Sequence, residues 1–218
     1  MKHFIYHMSM LRGRKPLTRQ YGKTFWKKFQ KGSRAAFRQF AKRLPDIGES
    51  VFRFNFQFLP AYAAWFQTLT ALGLSREEID RVIWLLNERF VTIVPRKLLH
   101  ATGVSYFSNF RKKTAKHIAR QKRGELHPWD WTIIYRDVDS NTFEIDITRC
   151  AMQLCAREFG VEGLLPGICR MDFLFSSLMG NGFRRTKTLG DGDDCCNCHY
   201  QLKGRCEWNP EKGFLNRK

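Results

Sequence analysis

The sequence predicts an α+β fold, in which an N-terminal helical layer packs on a C-terminal antiparallel sheet of about four strands with two short helices. Apolar residues recur every three or four positions through residues 1–124, as in helices, whereas short alternating segments occur in residues 125–206. The chain has 218 residues, and 43% of them are hydrophobic. We therefore expect a single domain with a substantial core, which ends in a tail at residues 207–218.

The first two helices are predicted from amphipathic spacing. Residues 17–44 place their aromatic residues mainly on one face and their lysines and arginines on the others, and Pro45 ends this helix. Residues 48–72 predict a second helix, bent at Pro60. Residues 54–75 carry no charge but include several polar residues and a proline, so we interpret them as a buried helix rather than a membrane span.

Two further helices have clear boundary signals. Ser75 followed by Glu78 forms a capping box, which predicts the start of a third helix that Pro95 ends. Residues 96–123 predict a fourth, basic helix that ends near Gly124.

After residue 124, the apolar residues no longer follow the helical period and instead alternate with polar ones, as in strands. Residues 129–137 and 142–148 alternate, are rich in β-branched and aromatic residues, and flank a short turn, which predicts a hairpin. The order β-β-α-α-β-β is completed by helices at residues 149–159 and 167–180 and strands at residues 183–189 and 195–202.

The charge is concentrated in two blocks. The formal net charge is +18, yet residues 1–43 hold 13 basic residues and residues 96–123 hold nine, with no acid in either block. Residues 44–95 and 124–218 each have a net charge of −2. The basic helix within residues 1–43 therefore offers binding to nucleic acid or an anionic membrane as one hypothesis, and a solvated helix face as the plainer one.

The cysteines indicate a reducing compartment. All seven follow residue 149, their number is odd, and Cys195 and Cys196 are adjacent, which is a poor disulfide framework. The N-terminal segment lacks the small-residue cleavage site of a signal peptide. We expect a cytoplasmic protein with free or metal-bound thiols.

The cysteine-rich run near the C-terminus is a candidate metal site. Soft ligands at this density suit zinc or iron, although no cofactor is required by the sequence. The alternative is that the cysteines act as small apolar residues on a core strand, where Cys196 and Cys198 share one face. The candidate ligands are Cys195, Cys196, Cys198, His199 and Cys206.

A thiol and a carboxylate are predicted to share a helix face. Cys169 and Asp172 are three residues apart on one predicted helix. A carboxylate raises the pKa of a neighbouring thiol, so the pair is not a self-sufficient nucleophile. We therefore assign Asp172 as a base or anchor, and Cys169 as a ligand or wall beside it.

Three segments together resemble a known family. They are ITRC at residues 147–150, LPGICRMD at residues 165–172 and GFRRTKTLGDGDDCCNC at residues 182–198. Residues 143–200, which contain them, resemble the L-2-amino-thiazoline-4-carboxylic acid hydrolase family. The matching positions are Cys169, Asp172, Arg185, Thr186, Thr188, Leu189, Gly192 and Cys196. Asn197 stands where the family usually has Asp, and Cys198 where it usually has Phe.

The resemblance implies hydrolytic opening of a small cyclic amidine-like carboxylate, a thiazoline, to a carbamoyl-cysteine product. Arg149 or Arg185 would hold the substrate carboxylate, and Asp172 would activate water or protonate the ring nitrogen. The implied polar and thiol wall consists of Cys169, Cys196, Asn197 and Thr188, with substrate contacts also from Cys150, Thr186 and Gly192. We expect the cavity between the layers, with an aromatic wall from Phe54, Phe58, Tyr62, Trp65 and Phe66.

Two alternatives remain open at this stage. Cys196 or Cys150 could attack as a nucleophile, although no base adjoins either in the sequence. If the usual Asp at position 197 is catalytic, Asn197 instead favours a non-catalytic sensor of a small molecule or metal on the same scaffold.

Overall fold

The first helix is longer than the sequence predicts. A computed structural model describes residues 1–215, and in it α1 spans Lys2–Arg43. The prediction of a helix starting at residue 17 is therefore wrong, because the preceding residues are helical too and bury Ile5, Tyr6 and Met10. The helical conformation of α1 is interrupted once, at Gly22. Its φ of +88° and ψ of 165° are not helical and are readily adopted only by glycine.

The predicted second helix is two helices. α2 spans Arg53–Phe56 and α3 spans Leu59–Ala71. Pro60 lies in the first turn of α3, where a missing N–H removes no helical hydrogen bond, so it starts a helix instead of bending one. α3 is almost wholly buried and packs against α1.

The next two helices confirm their predicted boundaries. α4 spans Arg76–Val91 and begins with the capping box, in which the Glu78 N–H donates to Ser75 Oγ at 3.3 Å and the Ser75 N–H donates to Glu78 Oε2 at 2.9 Å. α5 spans Arg96–Lys122 and starts directly after Pro95.

Four antiparallel strands form one sheet in the order β1-β2-β4-β3, which confirms the α+β class. One face is buried against the helices and the other is open. On the buried face, Ile147 pairs with Cys196, and Ile145 pairs with Cys198. The strands are β1 (Thr132–Asp139), β2 (Thr142–Arg149), β3 (Gly182–Arg184) and β4 (Cys196–Gln201).

The segments between β2 and β4 depart from prediction in two places. After α6 (Ala151–Glu158), the helix expected at residues 167–180 is divided at Arg170 into α7 (Leu165–Cys169) and α8 (Met171–Leu178). The strand expected at residues 183–189 ends at Arg184, because the chain then turns into a short 3₁₀ segment at Leu189–Asp191.

The expected tail is packed against the domain through residue 215. Trp208 is 3% exposed and Phe214 is fully buried, and both rings contact Trp84 on α4. These apolar side chains hold the segment in place. The rest of the predicted tail, residues 216–218, lies outside the described residues.

None of the helices within residues 1–215 has the length and hydropathy to span a bilayer. Residues 54–75 instead supply the buried α3, as predicted.

Candidate functional site

Several predicted site residues converge on one chamber of about 90 Å³ between α3 and the sheet. We call it the inner chamber. Cys150, Cys169, Asp172, Arg185 and Cys196 all line it. The rest of its wall is mostly aromatic and aliphatic, formed by Phe52, Asn55, Phe58, Tyr62, Trp131, Ile147, Met152, Ile168, Met171, Phe175 and Tyr200.

Element ends bring these side chains together. Cys150 is the N-cap of α6, and Cys196 is the first residue of β4, opposite Ile147 on β2. The break between α7 and α8 places Cys169 at the end of one helix and Asp172 in the first turn of the next. The functional groups therefore lie where regular structure stops, on a framework fixed by the sheet.

Arg185 is held at the chamber wall by two acceptors. Its Nη1 donates to Asp172 Oδ2 at 2.8 Å, and its Nη2 donates to the Cys169 carbonyl. The guanidinium carbon lies 5.8 Å from the centre of the Phe173 ring and 5.4 Å from that of Phe183. Burial opposes the charge, but Asp172 and neighbouring thiols raise the pKa of Arg185, which stays cationic.

Asp172 is a carboxylate in a poorly solvated position. Burial raises its pKa, and the Arg185 charge and hydrogen bond partly oppose this rise. Its side chain is 32% exposed, and it lines the chamber rather than the outer surface of the sheet. Burial, followed by the nearby Asp172 charge, also raises the pKa of Tyr62. A partly buried carboxylate of raised pKa that faces a cavity is a candidate for proton transfer.

Two thiols of the chamber, Cys169 and Cys150, are not activated. Burial raises the pKa of Cys169 to about 11, against a smaller lowering by Arg185. Burial, followed by the neighbouring Cys196 and Cys169, raises the pKa of Cys150 well above its ordinary value. At neutral pH both remain thiols, which are weak nucleophiles.

Cys196 is positioned by the turn before it. The Leu189 N–H donates to Cys196 Sγ at 3.2 Å, and Thr188 Oγ1 lies 3.3 Å from the same sulfur. Thr188 is 1% exposed and does not itself line the chamber. Thr188, predicted to form part of the wall, therefore lies behind it, in contact with the sulfur of Cys196.

Asn197 and Thr186 lie on the other face of the sheet. Asn197 Oδ1 accepts from the N–H groups of Thr186 and Lys187 at 3.0 and 2.7 Å, and its Nδ2 donates to Thr186 Oγ1 at 2.8 Å. The alternation of β4, which turns Cys196 inward, turns Asn197 outward. The structure thus places neither residue in the chamber, and Asn197 instead ties the loop after β3 to β4.

Two other predicted substrate contacts lie outside the chamber. Arg149 is exposed, and its Nε donates to the Asp130 carbonyl at 3.1 Å. Gly192 closes the turn after Thr188 with a φ of +91°, which glycine adopts without strain. Among the two predicted arginines, only Arg185 reaches the site.

The candidate metal ligands are divided between the two faces of the sheet. Cys196 and Cys198 point into the core, while His199 contacts Glu144 at 3.2 Å on the outer face. Cys206 lies apart, with its thiol 3.5 Å from the Asn181 carbonyl. Within residues 1–215, no group of three or more His, Cys, Asp or Glu side chains is arranged to hold a metal ion.

Arg170 and Gly190 support the site but are absent from the predicted residues. Arg170 is 1% exposed and donates from Nη2 to Asp191 Oδ2 at 2.7 Å, which anchors the 3₁₀ segment to the junction of α7 and α8. A Cβ at Gly190 would lie 2.6 Å from Cys169 Sγ. Arg170 lies between Cys169 and Asp172 in the sequence, and that position is the only signal for its role.

A second, larger chamber adjoins the first. This outer chamber has a volume of about 350 Å³ and shares several wall residues with the inner one. Of the predicted aromatic wall, Phe54 lines the outer chamber, and Phe58 and Tyr62 line the inner one. Trp65 and Phe66 line neither, since Trp65 packs in the core and Phe66 lies beneath Arg76. The residues common to both chambers are Phe52, Asn55, Asp172, Phe175 and Tyr200.

Comparison with known proteins agrees with this geometry. The model of the L-2-amino-thiazoline-4-carboxylic acid hydrolase family matches residues 53–200. This range holds every residue of the inner chamber except Phe52. No curated protein sequence matches the chain. Because the matched range covers well over half of its length, the chain belongs to the L-2-amino-thiazoline-4-carboxylic acid hydrolase family.

Proposed function

We propose that the chain hydrolyses a small cyclic amidine-like carboxylate of the thiazoline type and opens its ring to a carbamoyl product. One observation carries this proposal: a buried arginine and a carboxylate of raised pKa form an ion pair at the wall of one chamber. Family membership supports a hydrolase-like protein, and the substrate and reaction are our inference.

Arg185 is suited to hold the substrate carboxylate. A guanidinium has five N–H donors, and the contacts with Asp172 and the Cys169 carbonyl occupy two of them. The ion pair and the two flanking phenylalanine rings fix its plane, so little conformational entropy is lost when an anion binds. The remaining donors can therefore bind an anion that enters the chamber.

Asp172 is suited to move the proton. In its ionised form it accepts a proton from water as the water oxygen attacks the amidine carbon; the C=N electron pair moves onto the nitrogen, which takes this proton from Asp172 to give a neutral tetrahedral intermediate. Asp172 then accepts the hydroxyl proton as the C=O bond forms and the ring C–S or C–N bond breaks, and it returns that proton to the departing ring atom. The raised pKa makes Asp172 a stronger base than an ordinary aspartate, which favours the two steps in which it accepts a proton.

Water is the better nucleophile in this site. The pKa of Cys169 is about 11 and that of Cys150 is higher still, so neither is ionised at neutral pH. We assign these thiols, with Cys196, to the wall that shapes the chamber and excludes solvent. The seven free cysteines also support our proposal of a reducing, cytoplasmic location.

The test is turnover of 2-amino-thiazoline-4-carboxylate, followed by detection of the carbamoyl product. We expect Asp172→Asn to reduce kcat at least about 100-fold, as for loss of a general base. Asp194→Asn is the matched control, because the Asp194 side chain is exposed and forms a salt bridge with Lys187. Full activity in Asp172→Asn would refute the assignment. Binding without turnover by the wild type would instead favour the non-catalytic sensor.

A second activity is favoured by the exposed basic surface of α1. Twelve of the 13 lysines and arginines in residues 1–43 are exposed, and Lys2 is half-buried. We propose that this surface binds a polyanion such as nucleic acid or an anionic membrane, independently of the chamber. Retention on heparin should fall steeply as salt rises, and charge-reversing Lys27 and Lys31 should weaken it. Unchanged retention of that variant on heparin would contradict the proposal that the basic surface of α1 binds polyanions.

A further inference from the structure

The inner chamber is small for the substrate proposed above. Its volume of about 90 Å³ is roughly the liquid volume of three water molecules. A five-membered ring with its carboxylate and amine occupies more space than this. Asp172 also lines the outer chamber, so a ligand that contacts Arg185 and Asp172 and exceeds the inner chamber has room to extend past Asp172 into the outer one.

The outer chamber is apolar along most of its wall. Its volume of about 350 Å³ lies within the range of small-molecule sites. Its apolar lining includes Phe90, Val91, Ile93, Leu99 and Met179. The polar lining side chains include Asn55, Asp172 and Ser176, and the first two of these also border the inner chamber. Polar groups are thus concentrated at the inner end.

The entrance to the outer chamber is also apolar. Phe4, Phe54 and Val94 line it while remaining 54%, 49% and 38% exposed. Tyr106, 43% exposed, joins the same rim. Exposed apolar side chains that continue into an apolar chamber are typical of a binding site for an apolar group.

We infer that the substrate carries an apolar chain, which occupies the outer chamber while its carboxylate-bearing head reaches Arg185 and Asp172. The identity of the head rests on the function proposed above, whereas the apolar chain rests on the outer chamber alone. Asp172 marks the junction, since it lines both chambers. The ligand class is therefore an amphiphilic carboxylate, larger than the unsubstituted thiazoline.

The test compares the binding of butanoate and decanoate to the full chain by calorimetry, with no turnover required. Each buried methylene should tighten binding about fourfold, so decanoate should bind at least about 100-fold more tightly than butanoate. Val94→Glu places a charge at the rim and should weaken decanoate about tenfold while leaving butanoate unchanged. Val104→Glu is the matched control, because Val104 is 49% exposed and lines neither chamber.

The outcomes separate the two proposals. Equal binding of the two carboxylates, or tight decanoate binding that Val94→Glu leaves unchanged, would overturn the apolar-chain inference even if the thiazoline is hydrolysed. Chain-length-dependent binding that Val94→Glu weakens, in a protein that hydrolyses no thiazoline carboxylate, would keep this inference and reject the proposed reaction. Ser176→Phe, which fills the outer chamber from α8, provides a second test, with the same expected loss for decanoate.

Discussion

Arg185 and Asp172 form an ion pair at the junction of two chambers, with Arg185 Nη1 2.8 Å from Asp172 Oδ2. The arginine side chain is 4% exposed, whereas the aspartate side chain is 32% exposed and lines both chambers. Both side chains of the pair thus line the inner chamber, and the carboxylate also borders the outer one. Stability and the proposed chemistry depend on the same two side chains.

Replacing Asp172 should separate these two roles. Asp172→Ala leaves the buried Arg185 charge without its partner, and we expect it to lower the free energy of unfolding by about 3 kcal/mol. Asp172→Asn keeps an oxygen acceptor for Arg185 and should lower it by only about 1 kcal/mol. Urea denaturation of both variants measures the difference. Equal losses in the two variants would show that the hydrogen bond to Arg185 contributes little.

Asp80 should make stability depend on pH. Burial raises its pKa to about 6, against opposing contributions from Arg76, whose Nε donates to both carboxylate oxygens at 3.2 Å. A raised pKa means that the fold favours the protonated form. The stability that results from this raised pKa is therefore fully present below about pH 4, where Asp80 is also protonated in the unfolded chain. It is lost as the pH rises through about 6.

The corresponding measurement compares Asp80→Asn with the wild type at pH 4.5 and pH 7. The variant cannot ionise, so its stability relative to the wild type should rise by about 2 kcal/mol over this interval. Glu49→Gln, at an exposed carboxylate outside α4, serves as the control. A constant difference between Asp80→Asn and the wild type would contradict the raised pKa.

Gly190 should be required for the shape of the inner chamber. A Cβ there would lie 2.6 Å from Cys169 Sγ and 3.2 Å from the Leu165 carbonyl, so Gly190→Ala must displace the wall. We expect a loss of about 1–3 kcal/mol in stability, together with reduced ligand binding. Gly192→Ala is the comparison: nothing lies within 4 Å of its Cβ, but its φ of +91° is unfavourable for alanine. That variant should lose stability by about 1 kcal/mol and keep binding.

Trp208 should be a major contributor to stability. It is 3% exposed, contacts Trp84, Phe173 and Phe214, and donates its indole N–H to the Gly213 carbonyl at 3.1 Å. Trp208→Ala should lower the free energy of unfolding by about 3–5 kcal/mol. Leu215→Ala in the same segment, at a side chain that is 72% exposed, should change it by less than about 0.5 kcal/mol. A small loss in Trp208→Ala would mean that this segment is held by other contacts.

Local signals predict the helix boundaries that depend on a few neighbouring residues. Ser75 and Glu78 satisfy each other's backbone groups, so the start of α4 is encoded within four positions. The break at Gly22 and the division at Arg170 have no comparable local signal. The position of Arg170 depends on its buried ion pair with Asp191, 21 residues later in the sequence. The periodicity of apolar residues does not predict such a partner.

The features of the candidate site also divide into those with a local sequence signal and those without one. The spacing of Cys169 and Asp172 predicts their proximity, and strand alternation predicts that Cys196 and Asn197 face opposite ways. Which of these two faces inward depends on how the sheet packs on α3 and α5, and the sequence alone does not determine it. The outer chamber is lined by residues of six separate elements and has no sequence signature.

The packing of Trp208 and Phe214 on Trp84 also sets an order for biosynthesis. Both rings lie beyond residue 200, where the match to the family ends, so they are synthesised after Trp84 and Phe173. Until they arrive, Trp84 and Phe173 lack aromatic neighbours that cover them in the native protein. The nascent chain therefore passes through an interval in which an apolar surface is uncovered, when chaperones could engage it. Residues 208–214 thus complete the aromatic cluster around Trp84.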